Sequence, residues 1–239
     1  MTSSRPAKHR VSMPQSTAQA SPWYRWASNV YVLLIFAIAI EQIPFVALPF
    51  NWLETYFHEL SHGIAALATG GAIKQIQLFT NGGGLCTTLG GIGAIIAFSG
   101  YFGASVWGLL IFSIANVKAQ LSRYLTYLLL ALVVISTLLW VRDFLTLLIC
   151  IVIFSFFALS LKVRQAHVLS VVIKLMGLIV LLNSIKSPLY LIDNRQRGDG
   201  AALADMTLIP EAVWILIWFA IGLFSLYRIV LTQHRRSKG

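Results

Sequence analysis

Charge is scarce in this chain. Of its 239 residues only 11% are Asp, Glu, Lys or Arg, and just 8 are acidic, whereas a soluble domain carries about a quarter charged residues, so an ordinary water-facing surface is excluded. Cysteine is almost absent too. Cys86 and Cys150 stand far apart without a C-x-x-C pair, which argues against a disulfide framework and a thiolate zinc site and leaves two free thiols. Residues 1–25 are polar and contain Arg5, Lys8, Arg10 and Arg25 but no apolar core of signal-peptide type, so they read as a disordered basic tail, and the first apolar run serves as an uncleaved signal. There is no internal repeat of the kind that marks many transporters, and no PDZ-like or nucleotide-binding segment.

What is present is apolar. Hydrophobic residues make up 58% of the chain and the mean hydropathy is +0.79, and runs of about 18 or more such residues are long enough to cross a bilayer. They cover residues 26–50, 91–115, 124–141, 144–161, 168–182 and 212–231, with a further helix from Asn51 to the Gly70-Gly71 stop. The expected fold is an all-α polytopic membrane protein, one domain over 26–231 with about six to seven transmembrane helices, followed by a basic tail at 232–239. Glu41, Pro44 and Pro49 in the first run predict a kinked helix with a carboxylate at membrane depth, hydrogen-bonded to a neighbouring helix. Seven spans put the termini on opposite sides. Lys and Arg then divide almost evenly between the two sides, Lys174 lies within a span, and the positive-inside rule gives no orientation. The net charge of +10 is gathered at the chain ends and scattered singly between runs, which suits anionic lipid head groups better than nucleic acid.

Within this apolar background stands His58-Glu59-Leu60-Ser61-His62. Residues four apart share a helix face, so His58 and His62 can present their nitrogens to one Zn²⁺ at about 2.0–2.1 Å. Glu59 projects beside them, placed to take a proton from water that the metal acidifies. With 5 His in the chain, chance yields this pattern in about one such sequence in a thousand. Ionisable groups in spanning segments are costly and are mostly kept for a task.

After the metal helix the period changes. Ile73, Ile76 and Leu78 interleave with Lys74, Gln75 and Gln77, then comes the turn Asn81-Gly82-Gly83-Gly84 and a return over 85–89, which predicts a short β-hairpin or a glycine-rich re-entrant loop. At membrane depth such a segment must lie against protein or water. Gly90, Gly91, Gly93, Gly100, Gly103 and Gly108 open the next helix and suit close packing of helices.

A catalytic zinc takes three protein ligands. His9 and His234 lie near the chain ends and His167 stands alone near a basic loop; Glu41, Glu54, Asp143 and Glu211 occur singly, whereas Asp193, Asp199 and Asp205 cluster late in the chain, so a late aspartate is the natural third ligand. Glu54, four residues before His58, is placed to orient a ligand as a hydrogen-bond acceptor. A loop carboxylate or a helix cap is the competing role for each aspartate.

From residue 51 to residue 218 the chain resembles the site-2 protease class of intramembrane zinc metallopeptidases, and within it the compact bacterial and fungal branch without a PDZ domain. The likeness rests on His58-Glu59-Leu60-Ser61-His62-Gly63 leading to Thr69-Gly70-Gly71, on Gly100-Tyr101-Phe102-Gly103 with Trp107-Gly108, and on Gly198-Asp199-Gly200-Ala201 leading to Thr207-Leu208-Ile209-Pro210 and Trp214. In that branch the late block reads Ser-Asp-Ala before a Thr-Gly-Ile-Pro-like turn, which maps its ligand aspartate onto Asp199. Other members use an Asn-Pro-Asp-Gly-like or Leu-Asp-Gly-like motif; the proline version is missing here, and Asp193 stands as the alternative ligand. The resemblance implies one Zn²⁺ per chain, Glu59 as catalytic base, and a multi-pass protein of a bacterial cell membrane whose partners are the lipid bilayer and a membrane-spanning protein substrate. It also implies that a segment such as 73–89 presents the substrate as an extended strand, with Ile73, Ile76, Leu78, Asn81, Gly82 and Gly83 as candidate contacts. Two rival classes share this composition: a non-proteolytic membrane scaffold with a vestigial metal site, and a small transporter whose pathway is lined by Glu41, Lys174 and the aspartates.

Overall fold

The computed structural model describes residues 26–192 and 198–238. Asn29 caps the first helix, α1 (Val30–Glu41), by accepting the Tyr31 backbone N–H at 2.9 Å. The chain then breaks at Gln42 and Ile43 and turns by 109° into α2 (Pro44–Ala68). The expected kink is therefore a break, and it lies earlier than the expected helix start at Asn51. Pro44 occupies the first helical position, where its missing N–H costs no bond and its fixed φ favours initiation. Asn51 sits inside α2, and its Oδ1 accepts the Asn183 Nδ2 at 3.1 Å.

Beyond α2 come β1 (Ala72–Leu78) and β2 (Gly84–Leu89), an antiparallel hairpin with register from Ala72↔Leu89 to Leu78↔Gly84 and an irregularity between Ile73 and Gln75. Its apolar face is anchored. Ile73, Ile76 and Leu78 are buried in the helical core beside Phe57, Leu129 and Ile153, and the Leu78 N–H donates to Thr146 Oγ1 at 2.9 Å. The remaining elements are α3 (Gly93–Val117), α4 (Leu121–Trp140), α5 (Phe144–Ser160), α6 (Ala166–Lys186), a 3₁₀ turn (Ser187–Leu191), α7 (Asp199–Thr207) and α8 (Glu211–Lys238). Helix α8 continues past residue 231, so the expected C-terminal tail forms its last turns; the expected N-terminal tail, 1–25, lies outside the described residues.

Among the described residues, α3, α4, α8 and α6 with its 3₁₀ extension are long and apolar enough to cross a membrane, and the bent α1–α2 pair raises the number to 5; α5 is apolar but shorter. Their outward faces carry Ile35, Leu138, Phe144 and Leu216, all more than half exposed, as lipid-facing surfaces do. One helix end gathers both ends of the fold: Gln233 Nε2 donates to the Ser28 carbonyl at 2.8 Å, joining the last turns of α8 to the start of α1. Ser28 and Gln233 thus lie at the same end of the helix bundle, whereas seven crossings would place them at opposite ends. Arg123 joins the α3–α4 and α5–α6 connections by donating to the Val163 and Arg164 carbonyls. At the far end Lys186 pairs with Glu41, tying α6 to α1 as expected for a membrane-depth carboxylate.

The most extensive helix contact is α3 against α6, and two glycines permit it. A Cβ on Gly108 would lie 2.7 Å from the Leu181 nitrogen, and one on Gly177 would lie 2.7 Å from the Phe112 nitrogen and 3.0 Å from the Gly108 carbonyl oxygen. Backbone meets backbone there, so no side chain can give way. Gly177→Leu is expected to lower stability in detergent by about 1–3 kcal/mol or more, read as a fall in the thermal midpoint, whereas Ile151→Leu on the lipid-facing side of α5 should leave the midpoint in place.

Candidate metal centre

One turn of α2 separates His58 from His62, and their Nε2 atoms stand 3.0 Å apart. Asp199, in the first turn of α7, brings its Oδ2 to 3.0 Å from His58 Nε2 and 3.2 Å from His62 Nε2. Among the described residues these three form the one group of His, Cys, Asp or Glu side chains close enough to hold an ion. The fit to zinc is good: ligands at about 2.0–2.1 Å around a tetrahedral ion lie roughly 3.3 Å from one another, close to the spacings seen. The donor set of two imidazoles and a carboxylate leaves a fourth position open. His62 Nδ1 lies 2.6 Å from the Ile96 carbonyl, an acceptor that keeps the proton on Nδ1 and turns the Nε2 lone pair toward the centre. His58 is held edge-on against Tyr101, with ring centroids 4.4 Å apart.

Space for this convergence comes from Gly100 on α3. A Cβ there would stand 2.5 Å from both His58 Nε2 and His62 Nε2, filling the place where the three donors point. Asp199 follows Gly198, whose φ of 96° suits glycine alone, and it lies at the positive end of α7, where a carboxylate is favoured. Burial works to raise the Asp199 carboxyl, but its hydrogen bonds with His58 and His62 outweigh burial and hold it well below the usual carboxylate range.

Glu59 faces the hairpin. It is buried and hydrogen-bonded to the Cys86 backbone, and a Cβ on Gly84 would lie 2.6 Å from its Oε1. Strand geometry explains the bond to Cys86. The Phe79 N–H donates to the Gly83 carbonyl at 2.8 Å, so by alternation Leu78↔Gly84 and Ile76↔Cys86 are non-hydrogen-bonded pairs whose β2 backbone groups turn away from β1. The outer edge of β2 therefore borders the same cavity of about 810 Å³ that His58, His62, Glu59 and Asp199 line.

The other candidates fall elsewhere. Asp193 lies outside the described residues, Asp205 is exposed on α7, and Asp143 caps α5 by accepting the Thr146 N–H at 2.8 Å. Glu211 packs against Gly200, next to Asp199. Glu54 lines the cavity rather than bonding a histidine. Of the expected substrate contacts, Ile73, Ile76 and Leu78 point into the core, because their apolar period matches the helices behind the sheet; Asn81, Gly82 and Gly83 line the cavity. Sequence reasoning missed the Ile96 carbonyl and Tyr101, and it assigned Gly100 to packing. No local signal separates a glycine that clears a metal site from one that lets helices touch.

Gly100→Ala tests the arrangement directly. Zinc in the purified protein is expected to fall from about one per chain to near none, measured by elemental analysis, with the helical circular dichroism retained.

No curated protein and no solved structure matches the chain significantly. A family model described as Peptidase M50B-like matches residues 30–229, from the start of α1 into the last turns of α8, so that both histidines, Glu59, the hairpin and Asp199 fall inside the match. On that match the chain belongs to the Peptidase M50B-like family, within the site-2 protease class.

Proposed function

We propose that the protein is a zinc-dependent intramembrane endopeptidase acting on membrane-spanning protein substrates. The observation that carries this reading is the convergence of His58, His62 and Asp199 beside Glu59, in a cavity bordered by the open edge of β2. His58, His62 and Asp199 would hold Zn²⁺, with Asp193 the alternative third ligand; when bound, the ion supplies Lewis acidity to water and to a peptide carbonyl. Glu59 takes the proton of the attacking water and returns it to the leaving amine. The outward groups of Gly84 and the outward carbonyl of Cys86 pair with substrate backbone, so the substrate lies extended against β2. A helical segment must unwind first, since each of its carbonyls already accepts a bond.

In the same reading the bent α1–α2 pair counts as one crossing beside α3, α4, α5, α6 and α8, six in all and the lower of the expected numbers, while the hairpin and α7 stay at the end away from the termini. Among the described residues, Lys118, Arg123, Lys162, Arg164 and Arg228 lie toward the terminal end, against Lys74, Arg142 and Lys186 toward the other. The positive-inside rule then puts both ends of the chain in the cytoplasm of a bacterial cell and opens the cavity toward the outer face.

Glu59→Gln is expected to keep about one zinc per chain and to lower cleavage of a membrane-spanning substrate by about 10²–10⁴-fold. His58→Ala and Asp199→Ala should lose the metal as well, and Asp193→Ala should keep it; zinc retained in Asp199→Ala and lost in Asp193→Ala would reverse the ligand assignment. Wild type that holds zinc but cleaves nothing would favour a scaffold. For orientation, a reporter fused after residue 239 should be active only if it folds in the cytoplasm; activity confined to an exported reporter would invert the topology.

A further inference from the structure

The cavity extends beyond the metal centre into a polar lobe that the hydrolytic chemistry does not use. Its walls are Glu41, Asn51 and Glu54 from α1 and α2, Asn183 and Lys186 from α6, and Ser187. Two carboxylate oxygens there, Glu41 Oε1 and Glu54 Oε1, are buried without a hydrogen-bond partner, although Glu54 as a whole is only 5% exposed. The neighbouring donors are committed. Lys186 pairs with Glu41 through its other oxygen, Asn183 Nδ2 donates to Asn51, and the Ser187 hydroxyl has a single proton to divide between Glu54 and the Asn183 carbonyl at 2.8 Å, which leaves Glu54 Oε1 without a donor. Among the described residues lining the lobe, two glutamates thus face one lysine. A buried carboxylate left short of donors is costly in an apolar protein, and a cationic ligand removes the cost.

The lobe is also in line with the open strand edge. Thr55 Oγ1 donates to the Gly82 carbonyl at 2.5 Å, and a Cβ on Gly82 would touch the Asn51 side chain at 3.6 Å, so the turn end of the hairpin rests beside Asn51 and Glu54. A strand laid along β2 from Cys86 past Gly84 runs toward the lobe. Glu54 lies five residues before Glu59, about 7.5 Å along the helix, which a strand covers in about two residues at roughly 3.3 Å each.

Building on the protease reading, we infer that Glu54, with Asn51 and Asn183, forms a subsite for a basic side chain of the substrate, Lys or Arg, about two residues from the scissile bond on the Gly84 side. Glu54 accepts the charged donors, and the Asn51 and Ser187 oxygens lie within the same lobe.

The test uses fluorescent, otherwise apolar peptides in which a single Lys, or Leu in its place, is moved across successive positions. Binding is measured on full-length Glu59→Gln protein in detergent, and hydrolysis of the same peptides on wild type. At one position Lys should strengthen binding over Leu on the order of tenfold or more. Adding Glu54→Gln should collapse that Lys-to-Leu ratio toward one, and Glu54→Asp should restore part of it. Equal affinity for Lys and Leu peptides at every position, or a ratio untouched by Glu54→Gln in protein that still holds zinc, overturns the subsite. Selective binding without hydrolysis by wild type keeps the subsite and removes the protease; hydrolysis without selectivity does the reverse.

Discussion

Helix α3 can do its work only because three positions that face its neighbours carry no side chain. Gly100, Gly103 and Gly108 each meet a different neighbour: the two imidazoles of α2, the Ser61 side chain, and the backbone of α6 at Leu181. A methyl group at Gly100 or Gly108 would collide with the metal donors or with backbone, neither of which can retreat, and one at Gly103 would overlap Ser61 down to its Cβ. In a lipid environment apolar burial gives helices little reason to associate, and close contact of small residues takes over that part. These glycines therefore fix both the distance between helices and the space in which the metal donors converge.

A second consequence concerns polarity. The chain has few ionisable groups, and the interior cavity collects a large share of them: Glu41, Glu54, His58, Glu59, His62, Lys186 and Asp199 all line it. Elsewhere the buried polar atoms are mostly hydroxyls that bond a carbonyl within their own or the next helix, such as Thr126 to Ser122, Ser184 to Leu181 and Ser170 to Ala115. Such pairs cost little at membrane depth, whereas carboxylates and imidazoles cost much. Their concentration in one cavity, rather than their number, separates this site from packing.

Several elements were legible in the chain itself. The change from helical period to alternation at Ile73, followed by Asn81-Gly82-Gly83-Gly84, foretold a hairpin or a glycine-rich loop, because strand period and turn residues are local properties, and the hairpin is what forms. The four-residue spacing of His58 and His62 foretold a shared face for the same reason. The helix break was misplaced, since Pro44 can start a helix as readily as end one, and Asn51 reads equally as a cap or as an interior hydrogen-bonding residue. The number of crossings stayed open as well: counting apolar runs treats α2 as a separate span, but the 109° turn after α1 is a matter of packing that no hydropathy window contains.

By itself the sequence determined the apolar, multi-helical class, the metal pair with its neighbouring carboxylate, and the hairpin, all set by composition or by spacings of a few residues. Tertiary structure alone decided which residues meet across the chain: Asp199 with histidines some 140 positions earlier, Gly100 beneath them, the Cys86 edge beside Glu59, and Glu54 facing Asn183 and Ser187. Those meetings depend on helix crossings and on a strand's outward edge. Local periodicity cannot encode them, because the same glycine, aspartate or glutamate fits its own helix equally well whatever lies across from it.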